Sequence, residues 1–94
     1  MTNLRIVCAA NKYNTTIVLG ARHFDKIMQA QIRQLDGPCA LIDWNKSQQG
    51  FMTNMGVFVN RNQAWKIAEK AGQIAERCGG DEADGGTLYS ENLY

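Results

Sequence analysis

Apolar residues in this chain recur in strand-like runs and at helical spacing, with no internal repeat of sequence. Leu4–Ala10 and Thr15–Leu19 are β-branched and apolar runs. They flank Asn11-Lys12-Tyr13-Asn14, which is turn chemistry, so a hairpin with a four-residue connection is predicted. Phe24, Met28, Ile32 and Leu35, with Ile27 alongside, then form one apolar stripe on a helix of about three turns. Lys26, Gln29, Arg33 and Gln34 face away, and Asp36-Gly37-Pro38 ends the helix.

The second half again mixes strand and helix signals. Residues 39–44 carry a short strand signal, and Asn45 to Gly50 is polar and reads as a loop. Phe51–Thr53 and Val57–Val59 around Asn54-Met55-Gly56 predict a tight hairpin. Asn60 followed by Gln63 is a capping-box pattern. It opens a helix expected from about Arg61 to Arg77, with Ala64, Ile67, Ala71 and Ile74 as the buried stripe. Trp65, Ala68 and Ala75 widen that stripe, while Lys66, Glu69, Lys70, Gln73 and Glu76 make the wet face. Gly72 inside it costs about 1 kcal/mol against Ala, which points to close packing there. Cys78 to Gly86 holds four glycines and three acids and reads as a flexible acidic linker. Residues 87–94 carry Leu88, Leu93 and two tyrosines to bury. The expected fold is α+β: a small antiparallel sheet with two main helices packed on it and a docked C-terminal tail. Residues 1–78 form the core domain. Residues 79–94 form the linker and tail, docking on the same domain or a neighbouring subunit.

Length and composition narrow the picture. Ninety-four residues is one domain with a modest core. A ligand-sized pocket is therefore expected between subunits, in a homo-oligomer. No apolar run reaches the roughly 18 residues of a membrane helix, and Met1–Arg5 does not read as a signal peptide. Cys8, Cys39 and Cys78 are widely spaced, with no C-x-x-C pair, and are expected as free thiols in a cytoplasm. Charge is uneven: residues 1–77 balance to +5 and residues 78–94 to −4. A basic body with an acidic tail can bind an anion or pack tail on body.

Candidate chemistry is sparse. His23 is the sole histidine, and no G-x-S-x-G elbow surrounds a serine, so a nucleophile–base pair is disfavoured. Asp81, Glu82 and Asp84 lack calcium-loop spacing, and the glycine pairs are not a P-loop. No metal, cofactor, duplex nucleic acid or membrane is expected as a partner, and no catalysis. The segment from Gly50 to Arg61 is the most informative. Phe51 and Phe58 offer rings, Asn60 and Asn62 base-edge hydrogen bonds, and Arg61 a fork for phosphate. On residues alone the same positions read more readily as hairpin core, helix cap and surface.

"GARHFD" at Gly20–Asp25, "QGF" at Gln49–Phe51, "FVNRNQAWKIAEKAGQI" at Phe58–Ile74 and "LYSENLY" at Leu88–Tyr94 together resemble small bacteriophage accessory proteins. Within that group the set looks most like the Thoeris anti-defence sponges of the first type. The resemblance implies a non-enzymatic homo-oligomer in the host bacterial cytoplasm that sequesters a cyclic nucleotide signal, a cyclic ADP-ribose isomer or a cyclic oligonucleotide. It implies Phe51, Asn60, Arg61, Arg77 and, more weakly, Arg22 as ligand contacts. The alternative is a phage-encoded protein inhibitor of the anti-CRISPR kind, its acidic tail imitating nucleic acid. A small phosphodiesterase ranks third, because no base, metal or activated nucleophile is evident.

Overall fold

β1 (Ile6–Tyr13) and β2 (Thr16–Gly20) form the first hairpin, and β3 (Gln48–Thr53) and β4 (Phe58–Asn60) the second. The two join into one antiparallel sheet in the order β2-β1-β3-β4. α1 (Lys26–Asp36) follows β2, α2 (Arg61–Lys70) follows β4, and a short α3 (Ser90–Leu93) ends the chain. This computed structural model describes residues 3–37 and 43–94, with Asp36 by its backbone alone. The strand expected over residues 39–44 lies largely outside the described residues. Among those described, no helix is long and apolar enough to cross a membrane.

Both helices lie on one face of the sheet. On that inner face Ile6, Ala9, Phe51 and Val59 pack against Ala64, Trp65 and Ala68 of α2 and against Leu88 of the tail. Nearer β2, Val18 packs under Met28 and Ile32 of α1, together with Trp44. Each such fully buried large side chain contributes about 1.5–3 kcal/mol. A polar position separates the two clusters. Asn11, paired in register with Val18 and Gln49, is fully buried and donates to Ser47 Oγ at 2.8 Å. Its Oδ1 has no partner.

The first hairpin is tighter than its turn chemistry suggests. Tyr13 pairs with Thr16, so the connection is the two residues Asn14-Thr15, with Asn14 at φ 54°, a conformation asparagine tolerates. Asn11 and Lys12 stay extended because β3 pairs with them from the other side, through Gln49 and Gln48. For the same reason the polar stretch expected as a loop up to Gly50 is strand from Gln48 onward.

The first helix starts later and buries less than its stripe implies. Phe24 sits before it at φ 57°, and Asp25 caps it by accepting from Met28 N–H at 2.8 Å. Met28 and Ile32 are fully buried, but Ile27 and Leu35 are 63% and 57% exposed. The sheet meets a stripe two residues wide, and nothing in sequence periodicity sets that width. The Gln31 side chain pairs with both the N–H and the C=O of Leu19, closing the outer edge of β2 to another strand.

The second helix begins as expected, with the reciprocal Asn60–Gln63 capping box, but it stops at Lys70. Gly72 takes φ 70°. Its N–H reaches Glu69 O at 3.1 Å, and Gln73 N–H reaches Ala68 O at 2.8 Å. Those two bonds are a Schellman ending with Gly72 at the left-handed position. So the glycine stops the helix and does not serve close packing within it. Gln73 then turns its amide onto the backbone of Ile6, with both bonds at 2.8 Å. That contact replaces the expected last turns up to Arg77, and Ile74 reaches the core from the extended chain. Cys8 and Cys78 are free thiols.

Candidate functional site

The five residues expected at a ligand site, Arg22, Phe51, Asn60, Arg61 and Arg77, all lie along the path of the C-terminal tail or next to it. Phe51 is fully buried in the α2 cluster, with the His23 ring edge-on at 5.0 Å. Asn60 is the α2 cap. Arg61, half-buried, donates to Leu88 O at 2.7 Å and to Gln49 Oε1. Its guanidinium lies 4.8 Å from the Tyr89 ring and 6.0 Å from that of Phe51. Burial lowers its pKa, and nearby Tyr89 and Glu91 oppose that shift.

The other two arginines also hold the tail. Arg22 donates to the main-chain oxygen of Tyr94 at 2.9 Å, stacks on the Tyr94 ring at 5.3 Å and lies 3.5 Å from Glu91. Arg77 grips Asp81 with two hydrogen bonds of 2.7 and 2.9 Å and stacks on Trp65 at 5.3 Å. The structure thus brings Phe51, Arg61 and the tail together, and leaves Arg77 at the other end beside Trp65. Asn62, offered above as a base-edge reader, donates to Gly86 O at 2.7 Å and to Thr87 Oγ1 at 3.1 Å.

Of the three acids expected to be solvated in the linker, Glu82 and Asp84 are exposed, whereas Asp81 is 3% exposed. Its carboxylate accepts from Arg77, from Cys78 N–H at 3.0 Å and from Asn92 Nδ2 at 3.2 Å. The Arg77 side chain above all, with the Cys78 N–H, holds this carboxyl well below the usual carboxylate range.

His23 joins the tail to the sheet. Its Nε2 lies 2.7 Å from Gly50 O, and its Nδ1 lies 3.2 Å from Ser90 Oγ. A carbonyl oxygen can only accept, so Nε2 carries the proton and Nδ1 accepts from the Ser90 hydroxyl. The pair resembles half of a nucleophile–base arrangement that no sequence motif signalled. Ser90 is 3% exposed, however, and its hydroxyl is turned inward onto the His23 ring. Burial lowers the His23 pKa from 6.5 to about 4, with the Arg61 charge adding to the effect and the Gly50 bond opposing it. As pH falls from about 6.5 to about 4, the unfolded chain takes up a proton at this histidine that the folded chain does not. Stability is therefore expected to drop across that window. Melting temperatures against pH should show the decline in the native chain, and His23→Gln should flatten it, because the chain has one histidine.

A second locus lies at the opposite end of β1. Asn3, Leu4 and Arg5 face Lys66, Ile67 and Lys70 of α2, and Ala71 just after it, across a cleft of about 540 Å³, within the size range of small-molecule sites. Its wall is fixed by side-chain amides. Asn54 accepts from Arg5 N–H at 2.9 Å and donates to Asn3 O at 3.0 Å, and Gln73 holds Ile6. Leu4 and Ile67 supply apolar surface. Among the described residues, no carboxylate lies within 4.0 Å of Arg5, Lys66 or Lys70. Lys66 and Lys70 stand one turn apart, a like-charge pair that costs a helix about 0.2–0.5 kcal/mol. That repetition was the sequence signal for this locus, but it falls on what reads as an ordinary wet face. Arg5 joins it only through the fold.

The chain belongs to the phage T4 y16D protein family, whose model matches residues 5–94. No curated protein and no solved structure matches it.

Proposed function

We propose that this member of a phage protein family works by binding without turnover, sequestering a phosphate-bearing nucleotide of the cyclic ADP-ribose kind. The observation that carries the reading is the cleft with three unpaired cations over an apolar wall. A phosphorylated nucleotide has the matching parts: anionic oxygens for Arg5, Lys66 and Lys70, and a flat apolar face for Leu4 and Ile67. The bidentate fork of Arg5 suits a phosphate edge, and the two ammonium groups supply charge. Sequestration needs affinity and slow release, not a positioned base or nucleophile. Each charge-assisted hydrogen bond is worth roughly 1.5–3 kcal/mol, so a few reach micromolar affinity or tighter after the costs of association.

Equilibrium dialysis against cyclic ADP-ribose isomers and linear ADP-ribose tests this. Depletion of one of them is expected, weakening as salt is raised, with the ligand recovered unchanged on heating. The double variant Lys66→Ala, Lys70→Ala is expected to lose roughly 100-fold in affinity with an unchanged circular-dichroism spectrum. Recovery of a cleaved product rejects sequestration. Undiminished binding by the double variant moves the ligand away from this cleft, toward the Phe51–Arg61 segment. The inhibitor alternative draws less support, because three of the four tail acids, Asp81, Glu82 and Glu91, lie within 4 Å of an arginine of the same chain. Little charge is left for imitating nucleic acid.

A further inference from the structure

At the Arg5–Lys66–Lys70 cleft the main chain itself presents an unpaired edge. The β1–β3 register shifts between Ile6 and Cys8, and the extra residue of such a bulge re-aims the strand that enters it. The hydrogen bonds of residues 3–6 follow from this. Arg5 N–H donates to Asn54 Oδ1 at 2.9 Å, and Arg5 O accepts from Asn54 N–H at 3.0 Å. Asn3 O accepts from Asn54 Nδ2 at 3.0 Å. Ile6 turns the other way, and both of its main-chain groups pair with the Gln73 carboxamide. Main-chain groups alternate sides along an extended chain, so Leu4 N–H and Leu4 O face as those of Ile6 do, away from Asn54. Nothing among the described residues bonds to either group. Leu4 lines the cleft together with Lys70 and Ala71, and Gln73 comes just after them, so the Leu4 edge opens into the cleft.

Resting on the nucleotide reading above, we propose that the main chain of Leu4 reads the base of that nucleotide. It selects a base with an amino group beside a bare ring nitrogen, the edge that adenine and cytosine share. The neighbouring rung carries the precedent. Gln73 offers Ile6 an acceptor, Oε1, and a donor, Nε2, side by side, each at 2.8 Å. An aminopurine or aminopyrimidine offers the same pair: its ring nitrogen accepts from Leu4 N–H, and its amino group donates to Leu4 O. Hypoxanthine and uracil carry the pair in the opposite order, with a carbonyl for the amino group and an N–H for the ring nitrogen. Phosphates held at the cations fix which way round the base enters. Leu4 O then meets a carbonyl and Leu4 N–H meets an N–H, and that mismatch rejects them. Ile67 supplies apolar surface for the ring, and the cleft of about 540 Å³ accommodates a nucleoside diphosphate.

Isothermal titration calorimetry of the full chain with ADP, IDP, CDP and UDP tests this. ADP is expected to bind at least tenfold tighter than IDP. Etheno-ADP, whose ring nitrogen and amino group are bridged, is expected to bind no tighter than IDP. A like preference for CDP over UDP extends the recognition to the pyrimidine ring, and equal binding of those two confines it to the purine. Leu4 is 46% exposed, so Leu4→Pro removes the N–H at little cost to the core and is expected to bring ADP down toward IDP. Leu4→Ala keeps the N–H and is expected to keep the ratio. ADP and IDP binding alike overturns the proposal and leaves the phosphate cleft standing, and so does a Leu4→Pro chain that keeps the native ratio. A chain that binds none of the four fails the nucleotide reading and this inference with it.

Discussion

Gly86→Ala is expected to cost about 3 kcal/mol. Two causes act together. Gly86 has φ 129°, a region that residues with a β-carbon rarely enter. An added β-carbon would also stand 2.1 Å from Cδ1 of Trp65. Trp65 is itself 7% exposed, stacked under Arg77 and packed in the α2 cluster, so it has nowhere to go. In a domain of this size 3 kcal/mol lowers the melting temperature by roughly 15 °C, which calorimetry would read directly. Gly79→Ala is the control: nothing lies within 4 Å of its added β-carbon and its φ is not positive, so it is expected to be close to neutral. If the two variants melt alike, Gly86 is not held against Trp65.

Asn92→Ala is expected to cost about 2–4 kcal/mol and to loosen the tail. The side chain is fully buried. Its Oδ1 accepts from Tyr89 N–H at 2.8 Å, and its Nδ2 donates to Glu76 O at 2.9 Å and to Asp81 at 3.2 Å. Its main-chain oxygen accepts from Ala75 and Glu76 at 2.7 and 3.2 Å. Alanine keeps the main-chain bonds and removes three side-chain hydrogen bonds, each loss costing roughly 1 kcal/mol. Hydrogen exchange at Leu88 and Ala75 is expected to accelerate in this variant before exchange in β1 does, because the tail loses its anchor while the sheet keeps its own. Equal acceleration everywhere would show that tail and sheet unfold as one unit. Asp81 adds a pH signature. Its folded carboxyl titrates well below its unfolded value, so its stabilising effect is present above the unfolded value near pH 3.8. It fades as pH falls through the folded value, below the His23 window.

The cleft and the tail answer different questions about the chain. The tail contacts explain why so many arginines and aromatics sit near one another, with each guanidinium given a carbonyl, a carboxylate or a ring of the same chain. The cleft holds three cations with no carboxylate within 4.0 Å among the described residues. Three such cations lining one cleft with Leu4 and Ile67 are why the proposed function rests on Arg5, Lys66 and Lys70.

The sequence by itself determined the local events. Asn60 and Gln63 specify a capping box whatever surrounds them. The apolar spacing of Met28 with Ile32, and of Ala64 with Ala68, specifies buried helix faces. Two turn-flanked β-branched runs specify a hairpin, and a tail with two leucines must bury them. These signals act between residues close in sequence, so they survive being read in one dimension. The tertiary structure decided everything that depends on a neighbour distant in the chain. Gln48 and Gln49 are strand because β1 offers them a ladder. α2 ends at Lys70 because Gly72 takes the left-handed turn and the Gln73 amide then meets Ile6. Asp81 is buried because Arg77 and Asn92 converge on it. Arg22, Arg61 and Arg77 look alike in sequence as free cations, and the returning tail engages all three. Arg5, sixty-one residues before Lys66, becomes its neighbour only when β1 lies beside α2. Charge placement and pocket shape are sums over such distant pairs, which is why the kind of fold was legible in the sequence and the candidate site was not.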